Sequence, residues 1–163
     1  MKDIQILVFD SGNRAHRTAF SALNRAWLER YFAVEAHDLE QLDDPQEFIL
    51  KNGGRIFLAA EESGEIIGTV ALIATAPGEF EMAKMSVAEH RQGYGVGRRL
   101  CHEAIHWARS VGTKRIWLES NRRLKPALSL YESVGFREIP LAPSPYARAD
   151  IKMELPFSEP SSQ

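Results

Sequence analysis

Polar and apolar residues alternate along positions 3–9, the period of a strand with one face on a core, until Ser11-Gly12-Asn13 breaks the pattern. From about Arg14 to Phe32 the period lengthens. Phe20, Leu23, Trp27 and Tyr31 recur at helical spacing and predict one amphipathic helix. Helix-like polar segments follow at about 37–43 and at 45–51, where Pro45 suits a first turn and Asn52-Gly53-Gly54 a stop. Arg55–Ala60 and Ile66–Thr75 read as two strands joined by Glu62-Ser63-Gly64-Glu65, and Pro77-Gly78 turns the chain into a third strand, about Glu79–Val87.

The glycine-rich stretch 91–97 then opens a long helix to about Ser110, ended by Gly112. Lys114–Glu119 reads as a strand and roughly 125–134 as a short helix ending at Gly135. Arg137–Ile139 and Ala149–Leu155 form a last pair of strands around a Pro-rich loop. This order predicts an α/β (α+β) domain, with a mixed, mostly antiparallel central sheet of about six to seven strands flanked by helices. The polar tail Ser158–Gln163 is expected to be disordered.

Composition changes little. At 163 residues, 44% hydrophobic and 26% charged, the chain has the length for a single core, and its net charge of −2 offers no global attraction for nucleic acid. One cysteine, Cys101, rules out an intramolecular disulfide and suits a reducing compartment. The first residues lack the apolar run of a signal peptide, and no stretch approaches the ~18 apolar residues that cross a bilayer. The expectation is a cytoplasmic protein, monomer or homodimer, without membrane or nucleic-acid partners.

Chemistry concentrates in Gln92-Gly-Tyr-Gly-Val-Gly97, followed by Arg98-Arg99. Alternating glycines let the backbone bring its N–H groups close to a ligand, and the helix N-terminus behind them favours an anion such as a phosphate. Arg98 and Arg99 oppose the helix dipole unless an anion is present. A plain glycine-rich turn fits these residues equally well. A dinucleotide fingerprint does not, because Leu100 stands where the third glycine is needed and the loop follows antiparallel strands. No Gly-Lys-Ser/Thr of a nucleotide P-loop is present.

His102-Glu-Ala-Ile-His106 matches the zinc-protease pattern H-E-x-x-H. Helical phase places Leu100, Ala104, Trp107, Ala108 and Val111 on the buried face and both histidines opposite, so no metal is expected.

Four segments in order resemble the GNAT superfamily of N-acetyltransferases. Gln92–Gly97 is similar to its Q/R-x-x-G-x-G/A loop, and Glu81-Met-Ala-Lys-Met-Ser-Val87 to its fourth strand. Leu118-Glu-Ser-Asn121 is similar to the end of its fifth strand. Ala127-Leu-Ser-Leu-Tyr-Glu-Ser-Val-Gly-Phe136 resembles its A-x-x-L-Y-x-x-x-G-F segment. The likeness covers about Ile56–Leu155; residues 1–54 fit by element order alone. One position departs from it, since relatives that acetylate protein N-termini often carry Asn where Leu124 stands here.

The resemblance implies a single acetyl-CoA-binding domain over 1–157. Met85, Ser86 and Val87 would pair with the pantetheine arm, Gln92, Gly93, Tyr94, Gly95, Val96, Gly97 and Arg98 would hold the pyrophosphate, and Asn121 and Tyr131 would contact the cofactor. It implies Tyr131 as general acid, although phase alone sets Tyr131 beside Ala127 and Val134 in a core. Glu81 is the preferred base and Glu119 the alternative. Trp27, Tyr31, Phe32, Glu35, His37, Asp38 and Tyr146 are candidates for an acceptor site, where aromatic and acidic groups suit a cationic amine. The implied activity is acetyl transfer to the primary amine of a small or amino-acid-like molecule. Transfer to protein N-termini or lysines, and non-catalytic acyl-CoA sensing, are the alternatives.

Overall fold

The computed structural model describes residues 3–157, and the expected disordered tail, 158–163, lies outside them. The order is β1 (Gln5–Val8), α1 (Arg14–Tyr31), α2 (Ala36–Asp43), one π-helical turn (Gln46–Leu50), β2 (Arg55–Ala60), β3 (Ile66–Ala76) and β4 (Glu79–Val87). After a 3₁₀ turn (Glu89–Arg91) come α3 (Val96–Ser110), β5 (Arg115–Ser120), α4 (Lys125–Ser133), β6 (Arg137–Ile139) and β7 (Ile151–Pro156). Seven strands make one sheet in the order β1-β2-β3-β4-β5-β7-β6, antiparallel everywhere except between β4 and β5. The parallel pair follows from its connection, because α3 must cross back over one face before β5 begins.

β2 and β3 are apolar along most of their length because both faces of the sheet are covered. Phe57, Ala59, Val70 and Leu72 face α3 and its residues Leu100, Cys101, Ala104 and Ala108. Their neighbours Ile56, Leu58, Ala71 and Ile73 face α1 and α2 through Phe20, Leu28 and Leu42. Among the described residues no helix is long and apolar enough to cross a membrane.

Three details depart from the sequence reading. The buried line of α1 is Phe20, Asn24 and Leu28, so Trp27 and Tyr31 lie beside the core rather than at its centre. The segment at 45–51 closes as a π turn. Val111 is 51% exposed, because α3 stops at Ser110 and its phase no longer governs the chain.

Gly54 enters β2 where a side chain has no room. An added Cβ would lie 2.5 Å from the Ile49 carbonyl oxygen and 2.6 Å from that of Leu72, both backbone. Gly54→Ala is therefore expected to destabilise the fold by roughly 3 kcal/mol, a fall of about 10 °C in melting temperature by calorimetry.

A cleft between parting strands

β4 and β5 pair only over Glu79–Glu81 and Arg115–Trp117. Beyond that point β4 stays with β3 as far as Val87 opposite Gly68, and β5 stays with β7 as far as Ser120 opposite Ile151, so the two part like a V. An extra residue in β4 marks the divergence. Thr69 pairs with Ser86 and Ala71 with Ala83, so two residues of β3 span three of β4. Lys84 sits in this bulge at φ 54, a left-handed conformation that side chains resist. Thr69 Oγ1 secures it by donating to the Lys84 carbonyl at 2.8 Å. Asn24 Nδ2 donates to Thr69 Oγ1 at 3.1 Å, and with the Thr69 proton in use, the 3.2 Å contact with Ser86 has the Ser86 hydroxyl donating.

The V opens into a cavity of about 770 Å³, inside the range of small-molecule sites. Met85–Val87, Glu119, Asn121 and Tyr131 line it, as do Gln92, Gly93 and Gly95–Arg98 of the glycine loop and Trp27, Tyr31 and Phe32 of α1 and the residue after it. Tyr94 does not line it and stands 57% exposed.

Gly95 caps α3 at φ 82, and no side chain of this cap bonds the first backbone N–H groups of the helix. Those donors and the positive dipole end face the cavity, an arrangement that receives an anion. Arg98 lines this end. Arg99 instead donates to the Ile4 carbonyl and braces β1, contrary to the expectation that both arginines attend an anion. The loop is held by Gln92 Nε2, which donates to the Val87 carbonyl at 3.2 Å, and by the ion pair of Arg91 with Glu61.

Glu81 is buried on the cavity wall. Burial and then the charge of Glu119 raise its carboxyl to about 7, against the opposing pull of Lys84, Lys152 and Arg148. Glu119 is half-buried and accepts a hydrogen bond from Ser144 Oγ at 2.7 Å. Tyr131 is 8% exposed, T-stacked on Phe136 at 5.9 Å, and burial with neighbouring Cys101 drives its phenol upward, so it stays protonated. It belongs to the core and to the cavity wall at once.

On the cavity wall Trp27 packs on Tyr31 at 5.3 Å and on Phe32 at 5.8 Å, while Arg123 lies over Phe32 at 4.7 Å. Tyr146 also lines the cavity. Glu35, His37 and Asp38 do not. Glu35 forms a capping box with Asp38 at the start of α2 and pairs with Arg148 at 3.1 Å. Asn121 spends its amide on the Arg148 carbonyl and its oxygen on the Arg123 N–H, at 2.8 and 2.9 Å. Lys84, Arg148, Thr69 and Asn24 were not singled out from the sequence. The one signal was a lysine between apolar residues, Met82-Ala83 and Met85, in the middle of a strand.

On the exposed face of α3, His102 and His106 point away from the core, as helical phase predicts.

Among the described residues, the sheet's only parallel pair parts over a cavity that an uncapped helix N-terminus also lines, a geometry with room for an extended, anion-bearing ligand between two strands. The family model described as Acetyltransferase (GNAT) family matches residues 20–136, and the chain belongs to that family. It is 30% identical over 105 residues to an Escherichia coli protein described as the uncharacterized N-acetyltransferase YjgM, a match covering 63% of each chain and so under two thirds of that relative's length. A GNAT-family acetyltransferase of Staphylococcus aureus Mu50 shares the fold at a TM-score of 0.84 and 20% identity, over 96% of this chain and all of that one. An aminoglycoside 6'-N-acetyltransferase complexed with coenzyme A superposes at 0.76 and 16% identity, covering 96% of this chain and 99% of its own.

Proposed function

We propose that the protein transfers the acetyl group of acetyl-CoA to the primary amine of a small or amino-acid-like molecule. One observation carries the reading: a single cavity joins the α3 N-terminus, the free edge of β4, Tyr131 and Glu81. Family membership and a fold neighbour that carries coenzyme A support it.

In this reading the cofactor's pyrophosphate rests on the N–H groups at Gly95–Gly97, and the pantetheine arm lies along Met85–Val87, whose β5 side has no strand partner. A backbone N–H there would polarise the thioester carbonyl, which gains negative charge as the amine attacks. The amine nitrogen bonds to the carbonyl carbon and the C–S bond breaks. Tyr131 lends its proton to the departing thiolate. Of the two protons shed by the substrate ammonium, one leaves through Glu81 to solvent and the other restores Tyr131. The aromatic cluster of Trp27, Tyr31 and Phe32 on the cavity wall would receive the acceptor.

Glu81 works as a base only when ionised, so its raised pKa of about 7 makes kcat/KM fall as pH drops through that value. Glu81→Gln is expected to abolish this acidic limb and to lower the plateau about tenfold or more, read from pH profiles with one fixed amine. Thiol release from acetyl-CoA across a panel of amines tests the whole reading. Turnover on at least one amine supports it, whereas saturable CoA binding without turnover on any would identify a sensor instead.

A further inference from the structure

Behind Glu81 lies a charge cluster that the reaction above does not use. Asp38, the third residue of α2, is fully buried. Its carboxylate accepts from Lys84 Nζ at 2.6 Å and from both terminal nitrogens of Arg148 at 2.8 Å. The Tyr146 ring stands between these cations, 5.0 Å from Lys84 Nζ and 4.2 Å from Arg148 Cζ. Lys84 donates to the Tyr146 hydroxyl at 3.2 Å, and that hydroxyl donates to Gln41 at 3.2 Å. The cluster thus ties α2, the β4 bulge and the connection between β6 and β7 across the open end of the V.

Burying such a group costs desolvation that an apolar cluster of the same size avoids, so stability alone does not account for it. Three of its members, Lys84, Tyr146 and Arg148, face the cavity, and Lys84 follows Glu81 by three residues on one strand. We propose that Lys84 is a positioning residue for amine transfer: its ammonium, pinned by Asp38 and Tyr146 on the cavity wall, supplies the positive charge that favours the ionised, proton-accepting form of Glu81. The inference rests on the reading of Glu81 as base.

The charged and titratable groups whose fields act on Glu81 are Glu119 from β5, Lys152 from β7, Tyr146 and Arg148 from the connection before β7, and Lys84 from its own strand, which Asp38 of α2 pairs. Among the cations Lys84 opposes the rise of Glu81 most strongly, ahead of Lys152 and Arg148; burial lowers the Lys84 ammonium's own pKa, and the hydrogen bond and charge of Asp38 oppose that fall. Asp38 itself is resisted by burial, but hydrogen bonds from Arg148 and Lys84 outweigh this and hold it ionised, below the usual carboxylate range. Replacing Lys84 by a neutral residue leaves Asp38 still paired with Arg148 and makes the surroundings of Glu81 one charge more negative. The Glu81 carboxyl must then titrate higher.

The test compares wild type, Lys84→Met, Lys84→Arg and Glu81→Gln by ¹³C NMR titration of side-chain carboxyls, the Glu81 signal being the one lost in Glu81→Gln. Acetyl-CoA affinity and pH profiles of kcat/KM are measured alongside. Lys84→Met is expected to move the Glu81 midpoint and the acidic limb upward together by about one pH unit, with acetyl-CoA affinity held within about threefold. Lys84→Arg should return both. If Lys84→Met does not fold, Lys84→Gly, which accepts the left-handed backbone, serves in its place. A limb that survives in Glu81→Gln overturns Glu81 as base and this proposal with it. A limb that belongs to Glu81 yet stays in place without the lysine overturns the role of Lys84 alone.

Discussion

Tyr131→Phe is expected to lower kcat by about 10²–10³-fold while leaving acetyl-CoA affinity within a few-fold of wild type. The expectation follows from how the ring is held. Tyr131 packs in the core against Phe136, and phenylalanine keeps that contact, so the melting temperature should barely change. What the substitution removes is a hydroxyl on the cavity wall. The phenol carries its proton in the resting site, burial only raising its pKa further, and the departing thiolate is to take that proton as the C–S bond breaks. In the variant the leaving group must find its proton in solvent, a loss confined to the transition state, which lowers kcat without raising KM. A variant with kcat within about threefold of wild type would return Tyr131 to a purely structural place, the one its helical phase alone assigns.

Gly97→Glu is expected to weaken acetyl-CoA binding about 100-fold or more, measured by calorimetric titration. Gly97 lies in the first turn of α3 and lines the cavity. A Cβ there meets Leu130 at 3.4 Å and Val87 at 4.0 Å, ordinary contacts that the fold can accommodate. A carboxylate at a helix N-terminus is favourable in itself, and glutamate is a better helix former than glycine by about 1 kcal/mol. The unliganded variant should therefore melt no lower than wild type. With a pyrophosphate at the same N–H groups, however, the carboxylate stands against like charge. Affinity and stability thus move in opposite directions, and a general loss of structure cannot imitate that result.

Much of this fold is legible because its strands and turns are written locally. Arg55–Ala60 is an apolar run closed by Gly54 on one side and a polar hairpin on the other, and Pro77-Gly78 marks the next reversal. The glycine loop and Tyr131 were legible through family pattern, and both reach the cavity. What stayed hidden depends on register and long-range approach. The V between β4 and β5 arises from one extra residue at Lys84, and no feature of that strand's sequence separates a bulge from a regular pleat. Asp38 meets Lys84 across 46 positions and Arg148 across 110, so their pairing cannot be read from spacing. Glu35 looked like an acceptor-site acid, yet its position just before α2 and three residues before Asp38 is that of a capping box, which claims its backbone and side chain. Tyr94 stood among the glycines of the loop, where left-handed turns at Gly93 and Gly95 carry its side chain outward.

Titration of wild-type protein with acetyl-CoA and, separately, with NADPH tests most directly the claim that the cleft between β4 and β5 holds an acyl-CoA. Calorimetry is expected to show saturable one-to-one binding of acetyl-CoA and none of NADPH. Binding of NADPH in preference to acetyl-CoA, or of neither, would contradict the account.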